Sequence, residues 1–305
     1  MVTRLVAPNP SPMTLEGTNG YIIEVGPGAL VAIDPGIDNP VHIASFVRAA
    51  VDSNSRYAAI LVTHGHPDHV PGALALRRET GAPVMAHPDA KFRHDRALEN
   101  DTKLTFEDET ITVIHAPGHA QDHLVFYAEK ERALFTGDVV IGRGTVAVAP
   151  PSGDMRQYQA TLKKLYDLYA DTAQVIYGGH GPAIRNPAVK LREYIEHRKE
   201  REAQIVEVLS DGPATIPEIV ADIYADTSQE LWPAAARQVL AHLIALGRDG
   251  RIAAERVTRP LTPEEEHILN PQLQGLGSAT DIAVIRAELG FGHAPEPLVR
   301  FSLVS

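Results

Sequence analysis

Short apolar runs and glycine-bearing turns alternate through residues 19–185, and their spacing predicts paired strands interrupted by single helices. YIIEV (21–25) and ALVAID (29–34) flank Gly26-Pro27-Gly28, a strand, turn, strand signal. Asp38 and Asn39 then precede apolar positions at Val41, Ile43, Ala44, Val47 and Val51, the start and one face of a helix. AAILVT (58–63) reads as a buried strand, and PGALALRRET (71–80) as a helix closed by Gly81. PVMA (83–86), TITVIHA (110–116), HLVFYAE (123–129), ALFTG (133–137) and AQVIYG (173–178) are further strands. Tyr158, Leu162, Leu165, Tyr166 and Tyr169 recur at helical spacing between Met155 and Tyr169, where the tyrosines read as packing rather than a stacking platform. The expected architecture is α/β, with sheet layers between outer helices.

The texture changes at Asn186. A long polar helix (VKLREYIEHRKEREAQIVEVL) leads into ATIPEIVADIY, then WPAAARQVLAHLIALGRDG, then a short strand near 251–255, an order that resembles a winged-helix unit. We therefore expect a catalytic domain over 1–186, a small winged-helix-like α domain over 187–258, and a weakly structured extension over 259–305.

Composition narrows the class without choosing a function. The 305 residues are 44% hydrophobic, contain no cysteine, and have a net charge of −11. No run of 18 apolar residues predicts a membrane span, and MVTRLVAPNPSPMTLEG has no leader pattern, so a cytoplasmic, membrane-free protein is expected. Residues 186–258 hold 9 Lys+Arg against 12 Asp+Glu, and the helix at 233–247 carries only Arg237 as a cation. A DNA-reading helix needs a basic footprint, so double-stranded DNA is not the expected partner; a lid or homodimer contact suits the unit better.

The chemistry is concentrated in Thr63-His64-Gly65-His66-Pro67-Asp68-His69, directly after the apolar run AAILVT. That position is a loop at the C-terminal end of a buried strand, where α/β proteins build their sites. His119 follows TVIHAPG, Asp138 follows ALFTG, and His180 follows QVIYGG, each beside a glycine. Four strand ends thus deliver imidazole and carboxylate groups without any thiolate, the donor set of a zinc, iron or manganese site.

In these residues the sequence resembles the metallo-β-lactamase fold superfamily, over about residues 15–185. The resemblance implies an αββα sandwich and a pair of divalent metal ions, zinc by preference with iron or manganese as alternatives. By the same resemblance His64, His66 and His119 hold one ion, Asp68, His69 and His180 the other, and Asp138 bridges them. Asp34 and His123 would stand behind the ligands, and Asp68 would orient a metal-bridged hydroxide. Five neutral imidazoles and two carboxylates carry −2 against +4, so a bridging hydroxide leaves about +1, enough to acidify water and attract an electron-rich oxygen.

The absence of cysteine departs from the cysteine-ligated β-lactamases, and Asp138 from the all-histidine class. The ligand box is unlike the flavodiiron proteins, and only 41 residues between Asp138 and His180 leave no room for the clamp domain of the large nucleases.

Further runs, namely Asn9 to Asn19, Pro117-Gly-His-Ala-Gln-Asp-His123, Pro150 to Met155 and Gly179-His-Gly-Pro182, resemble the beta-lactamase-like protein 2 family. That family includes single-strand-selective endoribonucleases and fungal polyketide thioesterases. The resemblance implies a hydrolase cleaving an ester or thioester, or the phosphodiester of single-stranded RNA, with a β-lactamase-like side activity or a mononuclear iron oxygenase as further alternatives. Arg143, in Gly142-Arg-Gly-Thr145, is a candidate phosphate contact. His115 reads as a strand-end residue, and His87 and His94 as a solvated stretch near a substrate mouth.

Overall fold

The computed structural model describes residues 1–269 and 298–304. The chain forms two compact units: Met1–Val146 with Ala160–Tyr194, and Ala147–Gln159 with the chain from Ile195 onward. The division expected at 186/187 falls instead after Tyr194, inside a helix, and the second unit also takes 147–159.

The first unit contains two sheets. One has strands β1 (Val2–Val6), β2 (Asn19–Gly26), β3 (Ala29–Ile33), β4 (Arg56–Leu61), β5 (Val84–Ala86) and β6 (Arg96–Ala97), in that spatial order. The other has β7 (Lys103–Thr105), β8 (Thr110–His115), β9 (Leu124–Ala128), β10 (Ala133–Gly137) and β11 (Val175–Gly178), ordered β11-β10-β9-β8-β7. Helix α1 (Pro40–Asp52) links the parallel pair β3 and β4, α2 (Val70–Thr80) links parallel β4 and β5, and α3 (Met155–Tyr169) precedes β11, which lies parallel to β10.

Alternation along each strand builds the layers. Tyr21, Ile23, Val25, Val31, Ile33, Ala59 and Leu61 join one core with Ile111, Val113, Leu124, Phe126 and Phe135 of the opposite sheet. Their neighbours Ile22, Leu30, Ala32 and Ile60 face the other way and pack with Ile43, Phe46, Ala73 and Leu76 of α1 and α2. Burying each of the Val, Leu, Ile and Phe side chains among them contributes roughly 1.5–3 kcal/mol. The far face of the second sheet meets α3: Thr161 Oγ1 donates to the Pro117 carbonyl at 2.7 Å, and the Tyr127 and Tyr169 rings lie 4.6 Å apart. The layer order is the expected αββα.

Local signals explain the helix ends. Asn39 caps α1, its side chain accepting from Val41 N and His42 N, with Pro40 in the first turn. Strands β1, β6 and β7 went unread in the sequence because they are short or largely solvent-facing, with no clean alternation of apolar residues.

The second unit contains α4 (Pro187–Asp211) from Ile195 on, β12 (Ala214–Thr215), α5 (Ile216–Ile223), α6 (Trp232–Arg248), β13 (Ile252–Arg256), α7 (Pro263–Leu269) and β14 (Val299–Leu303). Its core gathers Ile205, Leu209, Ile219, Trp232, Val239, Leu243, Ile268 and Phe301. The expectation of a weakly structured extension from 259 is corrected at both described ends. β14 is the middle strand of a three-stranded antiparallel sheet, ordered β12-β14-β13, with Phe301 fully buried. Val299, Phe301 and Leu303 alternate with Arg300 and Ser302, a strand pattern whose partners lie far away in sequence. α7 buries Ile268 in the same core. The remainder of that expectation, residues 270–297, lies outside the described residues. Among the described residues no helix is long and apolar enough to cross a membrane.

Candidate metal centre

The seven expected ligands, and Asp34 behind them, all stand in loops that follow strands of the first unit. Asp34 follows β3, the His64–His69 loop follows β4, His119 follows β8, Asp138 follows β10, and His180 follows β11. The structure gathers them into two adjoining sets, His64, His66, His119 and Asp138 in one, and Asp68, His69 and His180 in the other. Within each set the candidate ligand atoms lie within 4.8 Å of one another.

The imidazole protons are directed by groups behind the sets. Asp34, with φ +45°, accepts from Thr63 N at 2.8 Å, Thr63 Oγ1 at 2.6 Å and His69 Nδ1 at 2.9 Å. The Thr63 hydroxyl gives its one proton to Asp34, so at 3.0 Å it accepts from Nδ1–H of His64. His180 Nδ1 faces the Gly17 carbonyl at 3.4 Å. In all three rings Nδ1 therefore carries a proton and Nε2 is the nitrogen turned to the centre.

His123 joins neither set. Its Nε2 accepts from the Asp138 backbone N–H at 3.1 Å, and its ring stacks on His64 with centroids 4.6 Å apart. Gly137, at φ +46°, leaves room for this packing, since a Cβ there would stand 2.6 Å from Thr63 Oγ1 and 2.9 Å from His123 Cε1. Gly179 is equally constrained: a Cβ would meet Asp138 Oδ1 at 2.3 Å.

Electrostatics separate the two sets. Burial, reinforced by neighbouring imidazoles, pushes His64 well below its ordinary value and His66 down to about 4, so both are neutral and open as ligands. Burial opposes charge on His69 as well, but Asp68, Asp34 and Asp138 outweigh it and push the imidazole up to about 10. His180 is raised likewise, burial being overcome chiefly by Asp138. The second set therefore calls for a cation in whatever form it is supplied.

The residues fit divalent metal. His64 Nε2, His69 Nε2 and Asp138 Oδ1 are buried without hydrogen-bond partners, an arrangement costing roughly 1–3 kcal/mol per group if left so. His180 Nε2 lies 3.4 Å from Asp68 Oδ2 and 3.3 Å from Asp138 Oδ2, and His69 Nε2 lies 3.4 Å from Asp68 Oδ2. Ligands at about 2.0–2.1 Å from a tetrahedral ion are spaced by about 3.3 Å, so these separations match a common cation.

Other candidates stand apart. Arg143 is exposed and donates to Glu16, lowering that carboxyl. His115 Nε2 donates to the Gln121 carbonyl at 2.9 Å, and its ring stacks on His87 at 4.4 Å. Sequence reasoning assigned no role to Thr63, Thr18 or Asp122. Asp122 Oδ2 would lie 2.9 Å from a Cβ on Gly65, which accounts for the glycine between His64 and His66, and burial raises its carboxyl. Thr18 Oγ1 donates to Asp68 Oδ2 at 2.9 Å; its signal was the Gly17-Thr18-Asn19 run, legible only as part of a family pattern.

Comparison with known families accords with this geometry. The metallo-beta-lactamase superfamily model matches residues 13–180, which include every member of both sets. The chain belongs to the metallo-beta-lactamase superfamily. A beta-lactamase associated winged helix domain follows at residues 215–258, beginning at β12 rather than with α4. A Caenorhabditis elegans protein named beta-lactamase-like protein 2 homolog is 33% identical over 259 residues, 82% of this chain and 85% of that one. An Aspergillus fumigatus protein named atrochrysone carboxyl ACP thioesterase is 30% identical over 241 residues, 73% of each chain. A metallo-beta-lactamase family protein from Thermus thermophilus shares the fold at 21% identity, with a TM-score of 0.67, over 84% of this chain and 96% of that one. Within the superfamily this chain is a metal-dependent hydrolase.

Proposed function

We propose that this hydrolase holds two metal ions and cleaves an acyl ester or thioester. The observation that carries the reading is the reach of Asp138 toward both sets. Its Oδ2 lies 3.3 Å from His180 Nε2 and 3.8 Å from His119 Nε2, and its Oδ1 lies 3.7 Å from His69 Nε2. One carboxylate so placed is suited to bridging, with His64, His66 and His119 on one side and Asp68, His69 and His180 on the other. Two divalent cations held there, zinc by the nitrogen and oxygen donor set, supply Lewis acidity that acidifies water and polarises the substrate oxygen.

The chain's own groups do the rest. Asp34, Thr63 and the Gly17 carbonyl hold three imidazoles in one tautomer, so no reorganisation is needed when substrate arrives. Asp68 has the most exposed side chain of its set, at 25%, and is the carboxylate placed to orient an entering water and accept its proton. His123 keeps Asp138 in place through the backbone N–H of that residue.

Two observations favour a carbonyl over a phosphodiester. A relative covering most of the chain carries a thioesterase name. The net charge of −11 opposes association with a polyanion, and Arg143, the candidate phosphate contact, is engaged by Glu16.

The test is a parallel assay of metal-quantified protein on acyl thioesters, esters, lactones, a lactam reporter and labelled single-stranded RNA. Chelation and metal readdition serve as controls. Thioester or ester turnover with about two ions per chain is the expected result. RNA cleavage without acyl turnover overturns the substrate class, and one iron per chain with oxygen consumption overturns hydrolysis at this centre.

A further inference from the structure

The segment Asn9–Asn19 closes over one of the two ligand sets. Thr18 is fully buried, and its backbone N–H donates to Asn9 Oδ1 at 3.0 Å. That bond fixes the orientation of the Asn9 amide, so its Nδ2 is the group that donates to Thr18 Oγ1 at 3.0 Å. The hydroxyl oxygen is then an acceptor from Asn9, and its single proton goes to Asp68 Oδ2 at 2.9 Å. Polarity therefore runs one way, from amide to hydroxyl to carboxylate.

The same segment braces His180. Thr18 and His180 form an antiparallel bridge, Asn19 N donates to the Gly179 carbonyl at 2.7 Å, and Asn19 Nδ2 donates to the Gly178 and Gly181 carbonyls at 2.9 and 2.8 Å. By contrast, His64 leans on Thr63, and His66 meets His119. Support of the second set thus comes from a part of the chain remote from the His64–His69 loop.

We infer that Thr18, oriented by Asn9, is a positioning residue that aims Asp68 Oδ2 at the nitrogens of His69 and His180 and thereby sets the affinity of the second metal ion separately from the first. The inference rests on the two-metal reading above. Asp68 is partly exposed and lies on a loop; without a donor on Oδ2 its carboxylate gains alternative rotamers and hydration, whereas the buried nitrogens of the first set keep their arrangement.

The experiment is a titration of metal-free, full-length protein with Zn2+ against a competing chelator, with bound zinc counted by elemental analysis. Thr18→Val keeps the shape and removes the hydroxyl. It is expected to weaken the second equivalent by about tenfold or more and leave the first within about twofold. Thr18→Ser, which restores the donor, is expected to recover most of the loss. Asn9→Ala, at a half-buried position, keeps the hydroxyl without its orienting donor and is expected to weaken the same step by a smaller factor.

Two equivalents in the wild type with both steps unchanged in Thr18→Val overturn this inference alone, as does equal weakening of both steps. A wild type that takes up a single equivalent overturns the two-metal reading and this inference with it.

Discussion

His69 is joined to Asp34 by a 2.9 Å hydrogen bond from Nδ1, with both side chains almost wholly buried, so the end of β3 fixes which nitrogen of a ring at the start of α2 faces the centre. Asp34→Asn preserves size but replaces an acceptor with a donor toward either Thr63 or His69. If Nδ1 of His69 must accept, its proton moves to Nε2, the atom that faces Asp68 and Asp138. The expected result is a folded protein whose metal affinity falls about 10- to 100-fold, with stability reduced by roughly 1–3 kcal/mol. Dialysis against graded chelator followed by metal analysis checks it; retention equal to the wild type refutes the tautomer argument.

Ligand removal should separate residues in the two sets from the residue behind them. Asp68→Ala and His180→Ala each take a donor from the second set and are expected to abolish turnover and to lose one ion per chain. His123→Ala is expected to keep both ions, because its ring bonds to the Asp138 backbone and stacks on His64 without entering either set. Its cost appears as stability, through a buried N–H left without its acceptor and a cavity beneath His64. Metal content and melting temperature, measured on the same samples, distinguish these outcomes. Full activity in Asp68→Ala would remove its proposed role with the attacking water.

Much of this was legible in the sequence, for a physical reason. A centre built from strand ends places its ligands beside apolar runs and glycines, so His64, His66, His119, Asp138 and His180 announced themselves locally. Sheet layers between outer helices followed from paired apolar runs separated by single helices, whereas the αββα order came from the family resemblance. Thr18 did not, because a buried threonine that donates to a carboxylate 50 residues away has the same local pattern as any strand-edge threonine. Strand β14 was hidden differently. Its five-residue alternation is short, and its partners β12 and β13 lie 84 and more than 40 residues before it, so the pairing is a tertiary fact.

The corrected C-terminal segment carries its own anchor, and acid should release it. Arg259 forks onto Glu265 at 2.6 and 2.8 Å, and Glu265 also accepts from Thr262 N at 2.8 Å. Hydrogen bonding from Arg259, in the face of some burial, lowers this carboxyl to about 2. A carboxyl depressed on folding contributes stability that is complete above its unfolded value and lost as pH falls toward its folded one. The wild type should therefore lose melting temperature between about pH 4.5 and pH 2 more steeply than Glu265→Gln, and the two curves should converge at the acid end. Parallel curves over that range would show that the fork contributes nothing to stability.

Metal uptake should release protons, because the second set holds one in the ion's place. With no cation present, Asp68, Asp34 and Asp138 outweigh burial and keep the His69 imidazole protonated through neutral pH, with its value pushed up to about 10; His180 is shifted the same way. An ion needs the Nε2 lone pair, so its binding must displace that proton, and apparent affinity should rise with pH from neutrality toward about pH 10. His64 and His66, held neutral by burial, release none over the same range. Calorimetric titration with Zn2+ in buffers of different ionisation enthalpy reads the number directly. About one proton or more is expected for the second equivalent and close to none for the first. Equal release in both steps would mean that the two sets do not differ in charge, which the placement of Asp34 and Asp68 around His69 argues against.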